Sequence, residues 1–120
     1  MMTAMTTDPD CVFCSIVAGE VPAEVVHSSD HSLAFRDLDP QAPTHVLVIP
    51  RRHVADIGAL TAAAPDEAVA LLAAVQVVAE LDGMGNAYRL VFNTGAAAGQ
   101  SVPHAHAHVL AGRDLGWPPG

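Results

Sequence analysis

The feature that most constrains the fold is a run in which histidine and alanine alternate, from His104 to His108. A period of two residues predicts a β-strand, because successive side chains of a strand point to opposite faces. The three imidazoles are therefore expected on one face of a strand that extends from His104 to Leu110. At a rise of about 3.3 Å per residue, neighbouring imidazoles would lie about 6–7 Å apart and the outer two about 13 Å apart.

Four other segments predict strands, so the chain is expected to contain a sheet of five. Residues 32–37 alternate in the same way, and residues 45–49 form a near-continuous apolar run that suits a strand buried on both faces. The remaining two predicted strands are 24–27 and 88–92. The connection at 39–43 contains two prolines, which exclude it from a helix and from a central strand.

One long helix is predicted over residues 66–81, between Pro65 and Gly83, which are the usual start and stop signals. The opposite face of this helix is as apolar as the face that is predicted to enter the core. A helix that is apolar nearly all round needs burial on two sides, and a subunit interface is expected to supply the second. The predicted core face carries Ala68, Leu71, Leu72, Val75 and Val78.

A second, shorter helix is predicted over residues 11–18, with Asp10 as its N-cap and Gly19 at its end. Residues 58–65 are expected to form a loop, and residues 1–10 to be disordered. Together the elements predict one α+β domain over residues 11–120, with one long and one short helix.

Charge and composition exclude several classes of protein. With 5 basic and 13 acidic residues the formal net charge is −8, and the chain contains no lysine. A protein that binds the nucleic-acid backbone needs a basic surface, so no nucleic-acid partner is expected. No segment resembles a secretory signal or is long enough to span a bilayer, which predicts a cytoplasmic protein without a membrane partner.

The histidine row admits three interpretations: a polar strand face, a metal site, or a catalytic row with one imidazole as nucleophile. The 13 Å spread disfavours one ion bound by all three histidines. The preceding loop, 93–102, favours the catalytic interpretation, because its glycines let backbone amides approach an anion closely. Asn93 and Ser101 bracket this loop and can donate side-chain hydrogen bonds.

Four polar residues outside the row also require an interpretation. His45 begins a buried strand and is either a hydrogen-bonded core histidine or a partner of the row. Asp37 ends a strand beside apolar residues and is either a turn former or an acceptor for ribose hydroxyls. His27 and His31 flank a turn and are expected to face solvent.

Cys11 and Cys14 have C-x-x-C spacing. A structural disulfide is disfavoured in a reducing compartment, which leaves redox chemistry, metal binding or two unrelated buried thiols. A redox pair usually follows a strand, and none is predicted before Cys11. A zinc site would need two more N or S ligands, for which His53 and one end of the histidine row are the natural candidates.

The row His-Ala-His-Ala-His-Val-Leu matches the histidine triad pattern, and residues 11–120 resemble the nucleotide-binding branch of the histidine triad (HIT) family. The motifs Pro-Gln-Ala-Pro-Thr-His at 40–45 and Trp-Pro-Pro-Gly at 117–120 strengthen the resemblance. It implies a homodimer in which two five-stranded antiparallel sheets form one continuous sheet and the long helix packs at the interface. Trp117 would then lie near the partner's site.

The resemblance also implies hydrolysis of purine nucleoside phosphoramidates, with release of a nucleoside monophosphate such as AMP. His106 would attack the α-phosphorus and form a nucleotidyl-histidine, which water would resolve. His108 would contact phosphate oxygens, His45 would support the proton state of the imidazole, and Ser101 would help the leaving amine take a proton. The nucleotide-binding set would comprise Phe13, Ile16, Phe35, Asp37, Leu38, Asn93, Gly99, Gln100, Ser101, Val102, His106 and His108.

Many bacterial members of this family carry a structural zinc ion held by two Cys, a His and the first His of the row. Cys11, Cys14, His53 and His104 fit that pattern. Without the metal, His104 would act with His45 as a proton relay. The resemblance implies no organic cofactor.

Two alternatives to the phosphoramidase interpretation stay open. One is a dinucleoside polyphosphate hydrolase of the same family, which the Trp-Pro-Pro-Gly end disfavours. The other is a purine nucleotide-binding or scaffold protein with incidental turnover, which tight binding and slow hydrolysis of every substrate would identify.

Overall fold

The computed structural model describes residues 7–120. Residues 1–6, which belong to the segment predicted to be disordered, lie outside the described residues. The described part of the chain contains five strands, three α-helices and one 3-10 turn, Ala96–Ala98. In chain order the elements are α1 (Val12–Val17), β1 (Val25–Ser28), β2 (Ser32–Arg36), β3 (Thr44–Pro50), α2 (Ile57–Ala63), α3 (Pro65–Leu81), β4 (Tyr88–Phe92) and β5 (Ala107–Ala111).

The five strands form one antiparallel sheet in the order β1-β2-β3-β5-β4. β3 lies at the centre and is buried along its whole length, as its continuous apolar run predicts. β4 has the bounds expected from the sequence, β2 ends one residue earlier than predicted, and β1 and β3 differ from their predicted bounds by one residue at each end. The predicted α+β class and five-stranded antiparallel sheet are confirmed.

Alternating side chains of the strands build two hydrophobic cores, one on each face of the sheet. On one face, residues such as Val46 and Val48 pack against α3. On the other, Leu47 and Ile49 pack against Phe13 of α1. The sheet therefore separates two layers, and α1 lies on the face opposite α3.

The core face of α3 differs from the prediction at one position. Leu71, Val75 and Val78 are buried as expected, but Leu72 is 48% exposed. Leu72 follows Leu71 by one residue and therefore lies about 100° further round the helix, outside the arc that faces the sheet. Ala74 is buried on the opposite flank of that arc. Within residues 7–120, no helix is both long and apolar enough to cross a membrane.

A second short helix, α2, occupies most of the segment that was expected to be a loop. Asp56 is its N-cap and accepts a hydrogen bond from the backbone N–H of Ala59 at 2.8 Å. Leu60 is fully buried and anchors the helix to the core of α3. Gly58 and Pro65 read as loop residues in the sequence, but an N-cap and one buried leucine are enough to form this helix in its tertiary context.

The N-cap of α1 is Cys11, and the prediction of Asp10 is wrong. The Cys11 Sγ accepts a hydrogen bond from the backbone N–H of Cys14 at 3.3 Å. The backbone N–H of Asp10 instead donates to the carboxylate of Asp8 in the preceding turn. Gly19 ends the helix with a φ of 77°, as predicted.

The histidine strand is shorter than its sequence pattern predicts. The prediction begins at His104, whereas β5 begins at Ala107. The two N–H groups after Pro103 bond outside the sheet ladder. His104 N–H donates to the carbonyl of Val102, and Ala105 N–H donates to the carbonyl of Val54, both at 2.8 Å. His104 and His106 therefore lie on an irregular approach to the strand, and only His108 lies within it.

Candidate functional site

The three histidines of the row face the same side of the sheet, as predicted. Phe13 of α1 packs edge-on against the rings of both His104 and His106, with ring centroids 5.8 and 5.2 Å apart. The rings of His106 and His108 are 5.0 Å apart. α1 thus covers the first part of the row, and His106 is 6% exposed.

The hydrogen bond of His106 determines which of its nitrogens carries the proton. Its Nδ1 lies 2.8 Å from the backbone carbonyl of His104. A carbonyl only accepts, so Nδ1 carries the proton, and the lone pair of the neutral ring is on Nε2. His106 is therefore held by a backbone group in the tautomer that a nucleophilic Nε2 requires.

A chain of hydrogen bonds assigns the protons of the neighbouring imidazoles. The backbone N–H of Gln41 donates to Nδ1 of His45 at 3.0 Å, so His45 carries its proton on Nε2. That Nε2 lies 2.9 Å from Nδ1 of His108 and donates to it. His108 consequently carries its own proton on Nε2, where it can donate to an anionic ligand. Asp37 adds an acceptor 3.5 Å from Nε2 of His45.

Burial keeps His108 in the neutral form that this chain requires. Desolvation, followed by the nearby imidazoles of His106 and His45, lowers the pKa of His108 to about 4, whereas Asp37 acts to raise it. His108 is thus a neutral donor at physiological pH. A neutral donor can hold a phosphate oxygen without a salt bridge, which suits a protein with a net charge of −8.

A mainly apolar cavity of about 240 Å³ is lined by Phe13, which packs against His104 and His106, and by Asp37, which faces His45. The predicted base-binding residues line it, and Phe13 and Phe35 pack edge-on with centroids 5.7 Å apart. Asp37 lies at its polar end, while Leu38 is 100% exposed at its rim. The full lining is Val12, Phe13, Ile16, Val21, Pro22, Ala23, Phe35, Arg36, Asp37, Leu38 and Leu47.

The structure shows the turn-forming role of Asp37. One carboxylate oxygen accepts the backbone N–H of Asp39 at 2.8 Å and so closes a turn. The other oxygen is the one that faces His45. A carboxylate has about four acceptor positions, so these contacts leave Asp37 able to accept from a hydroxyl at the cavity.

The glycine-rich loop is held by the side chain of Gln100. Its oxygen accepts the N–H of Gly95 at 2.8 Å, and its nitrogen donates to the carbonyls of Ala55 and Val102 at 2.6 and 3.0 Å. Gln100, which is expected in the nucleotide-binding set, thus uses its side chain for hydrogen bonds within the protein. Val102 packs against the core on the α1 face. Gly99 has a φ of 94°, which gives the loop a conformation that L side chains rarely adopt.

The two cysteines meet two histidines at the other end of the row. Cys11, Cys14, His53 and His104 place one donor atom each within 4.8 Å of one another. The Nδ1 of His104 lies 3.4 Å from Cys11 Sγ and 3.7 Å from Cys14 Sγ. The Nδ1 of His53 lies 3.4 Å from Cys14 Sγ and 3.1 Å from Nδ1 of His104.

These separations fit a tetrahedral zinc ion. Bond lengths of about 2.3 Å to sulfur and about 2.05 Å to nitrogen imply S···N distances of about 3.6 Å and N···N distances of about 3.4 Å. His104 also has the required tautomer, because its Nε2 donates to the carbonyl of Pro50 at 2.9 Å and leaves Nδ1 unprotonated. Desolvation by burial lowers the pKa of His104 to about 4, which keeps its ring neutral. Cys11 and Cys14 are not joined by a disulfide.

Two backbone groups of the site carry no signal in the sequence. The N–H of Gln41 and the carbonyl of Pro50 set the tautomers of His45 and His104. Every residue has a carbonyl and nearly every residue an N–H, so only the folded chain shows which ones face an imidazole. His27 and His31 lie outside the site, at a surface groove between the β1–β2 turn and α3. Trp117 is exposed in the C-terminal tail.

Comparisons with known proteins agree with the observed fold. A family model described as the HIT domain matches residues 18–115. An uncharacterized HIT-like protein of Synechococcus elongatus is 47% identical over 113 residues, which cover 92% of this chain and 97% of that protein. A 14 kDa zinc-binding protein of Zea mays is 41% identical and covers 94% of this chain and 90% of its own length. The crystal structure of a HIT family hydrolase from Legionella pneumophila is 44% identical, with a TM-score of 0.88 over 92% of this chain and 100% of that one.

Proposed function

The chain belongs to the HIT domain family, and from this premise we propose that it hydrolyses purine nucleoside phosphoramidates through a nucleotidyl-histidine intermediate. It has the fold of HIT family hydrolases, which supports a hydrolase-type activity in general. The proposal goes further and names the scissile bond as P–N and the product as a nucleoside monophosphate such as AMP.

The observation that carries the proposal is the tautomer of His106. Its Nδ1 is bound to the carbonyl of His104, so Nε2 has the lone pair that would attack the α-phosphorus. In the first step the Nε2–P bond forms and the bond from phosphorus to the leaving amine breaks. In the second step water attacks the phosphorus, the Nε2–P bond breaks and the nucleoside monophosphate leaves. A neutral imidazole suits both steps, because it is a good nucleophile near pH 7 and a good leaving group once protonated.

Charge on the phosphate would be met by neutral donors. His108 carries its proton on Nε2 through the chain from Gln41 and His45, and it would donate to a non-bridging phosphate oxygen. The loop at 93–102 would add backbone amides and the side chain of Asn93. Ser101, which is exposed, would relay a proton to the leaving amine: its hydroxyl gives one proton to the amine and takes another from water. These roles require no basic residue.

The nucleoside would occupy the apolar cavity beside the histidines. Phe13, Ile16 and Phe35 would contact the purine, with Leu38 and Val102 at its edges, and Asp37 would accept from the ribose hydroxyls. This cavity complements a nucleoside. Its aromatic and aliphatic side chains suit the flat base, and the carboxylate at one end suits the ribose hydroxyls. Gln100 would act by holding the phosphate loop.

We also propose that Cys11, Cys14, His53 and His104 hold a structural zinc ion. When bound, the ion would cross-link α1 to the segments that precede β5 and follow β3. The chain's residues support this role, because His104 presents Nδ1 to the cluster while its Nε2 is bound to Pro50. His106 and His108 would be left free for the substrate.

The proposed partner is a second copy of the chain. Val69 and Leu72 lie exposed on α3 toward the β4 side, where Gln76 bonds to Tyr88. An apolar flank beside an edge strand suits a homodimer with a continuous sheet, in which Trp117 would approach the partner's site. A cytoplasmic location stays a prediction from the sequence.

The test of the activity is to trap the intermediate. Wild-type protein is mixed with adenosine 5′-phosphoramidate, quenched in alkali, where phosphohistidine is stable, and mapped by mass spectrometry. The proposal expects a nucleotidyl adduct on His106 and loss of at least about 10³-fold in kcat/KM for His106→Ala. The matched control is His31→Ala, an exposed histidine outside the site, which should keep wild-type kinetics.

Comparison of substrates separates the alternatives. Faster hydrolysis of a diadenosine polyphosphate than of the phosphoramidate would favour the dinucleoside polyphosphate hydrolase. Tight AMP binding with very slow turnover of both would favour the nucleotide-binding protein. Unchanged phosphoramidate hydrolysis by His106→Ala would refute the nucleophile.

A further inference from the structure

Asp82, the residue at the C-terminal end of α3, bonds to two strands on the face of the sheet opposite the histidines. Its carboxylate accepts both NH groups of the Arg36 guanidinium, at 2.5 and 2.8 Å. It also accepts the hydroxyl of Thr44 at 2.9 Å. Glu24 adds a weaker contact with Arg36 at 3.9 Å, but its side chain is largely exposed. Asp82 therefore joins the end of β2 and the start of β3 to one helix terminus.

An aspartate at this position is unfavourable without its partners. The C-terminal end of a helix is electronegative, and the last turn of α3 has no basic residue. The guanidinium of Arg36 compensates for both the helix end and the carboxylate, and it lowers the pKa of Asp82. This ion pair is bidentate and partly buried, and the two parallel hydrogen bonds give it a more defined geometry than a fully exposed pair has.

Each of the two residues that bond to Asp82 comes immediately before a residue of the site. Arg36 is followed by Asp37, and Thr44 is followed by His45. Because side chains alternate along a strand, a residue fixed on the α3 face sets the position of the next side chain on the opposite face. His45 has two further anchors, Gln41 and His108. Asp37 lies just beyond the last residue of β2, where the ladder ends with one bond from its N–H to the carbonyl of His45. Its carboxylate contacts the N–H of Asp39 in the adjoining turn and the ring of His45.

We propose that Asp82 is a positioning residue for nucleoside binding: through Arg36 it holds Asp37 at the distance that the ribose hydroxyls require. This inference rests on the proposed function, since it presumes that Asp37 accepts from ribose. Asp82 lies on the other side of the sheet from the cavity and touches neither substrate nor imidazole. Because His45 has its own anchors in Gln41 and His108, we expect the effect of Asp82 mainly at the ribose and much less at phosphorus.

The test compares two substrates, adenosine 5′-phosphoramidate and its 2′,3′-dideoxy counterpart. A hydrogen bond to a charged acceptor predicts that wild-type kcat/KM favours the ribose substrate by about 10- to 100-fold. Asp82→Ala should lower that preference about tenfold, because a misplaced carboxylate loses most of its bond to a hydroxyl. The change should appear mainly in KM for the ribose substrate, and kcat/KM for the dideoxy substrate should change less than about threefold.

Glu67→Gln is the matched control on the same helix. Glu67 forms the other bidentate ion pair of α3, with Arg52 at 3.1 and 2.7 Å, and its side chain is about as buried as that of Asp82. Arg52 precedes His53 rather than Asp37. Glu67→Gln should therefore lower stability without changing the preference for ribose. If Asp82→Ala does not fold, Asp82→Asn removes the charge at equal volume and is measured in the same way.

The outcomes separate the inference from the proposed function. Loss of the preference in the Asp82 variant but not in Glu67→Gln supports the positioning role. The positioning role is overturned if Asp82→Ala lowers kcat/KM equally for both substrates or leaves the preference for ribose unchanged. Asp82 would then be only a structural ion-pair partner. A wild-type protein that hydrolyses neither substrate, or does not distinguish them, refutes the proposed function or its ribose contact instead.

Discussion

Zinc is expected to raise the melting temperature of this protein through the Cys11, Cys14, His53 and His104 cluster. These four donors come from α1, from the segment after β3 and from the approach to β5. Unfolding separates residues that are up to 93 positions apart in the chain, so the cluster exists only in the folded state. A ligand that binds the folded state alone stabilises it by mass action.

The size of the effect follows from linkage. With free zinc at about 1,000 times its dissociation constant, the stabilisation is about 4 kcal/mol. For a chain of 120 residues the entropy of unfolding is about 0.25 kcal/mol per kelvin near the melting temperature. The ratio predicts a shift of about 16 °C between zinc-loaded and chelator-treated protein. Some zinc binding by the unfolded thiols would reduce the shift, which makes this figure an upper value.

The assay is thermal unfolding followed by circular dichroism, with zinc content measured by mass spectrometry under native conditions. Cys14→Ser should lose most of the shift and should melt near the wild-type temperature in chelator, since the substitution is nearly isosteric. His53→Ala should behave likewise, whereas His31→Ala should retain the full shift. A wild-type protein that holds no zinc and melts at one temperature in zinc and in chelator would refute the reasoning, as would a full shift in Cys14→Ser.

Three further predictions concern the fold and the proton state of the site. Leu60→Ala should lower the free energy of unfolding by about 2–5 kcal/mol, because Leu60 is fully buried between α2 and the core, and urea denaturation measures the loss. Asp56→Ala should remove the N-cap of α2 and cost about 1 kcal/mol in the same assay, whereas an unchanged midpoint would show that the cap contributes nothing. His108 has a pKa of about 4 when folded and about 6.5 when unfolded, so the unfolded state binds more protons between these values. Stability should therefore fall as pH drops from about 6.5 to 4. Urea midpoints across this range should fall less steeply for His108→Asn than for wild type, and equal slopes would contradict a lowered pKa of His108.

Local patterns in the sequence predict the regular elements well where a segment is long or strongly periodic. The run at 45–49 and the strand Tyr88–Phe92 are found with nearly the predicted bounds, and α3 differs by one residue at its start. The short helix α2 is missed because seven residues have little intrinsic helix stability. Its stability comes from Leu60, which is buried only when α3 and the sheet are present.

Local patterns in the sequence are sufficient to identify the chemical groups of the candidate site. A period-two row of imidazoles, a C-x-x-C pair, an Asp after an apolar strand and a glycine-rich loop are local features, readable from neighbouring residues. The protonation and the position of these groups depend on the folded chain. The proton on His104 depends on the carbonyl of Pro50, and the proton on His108 depends on the ring of His45, 54 and 63 residues away in the chain. Asp82 likewise bonds to Arg36 and Thr44 across 46 and 38 residues of chain. Such contacts depend on distances in the folded sheet, which no local pattern of residues encodes.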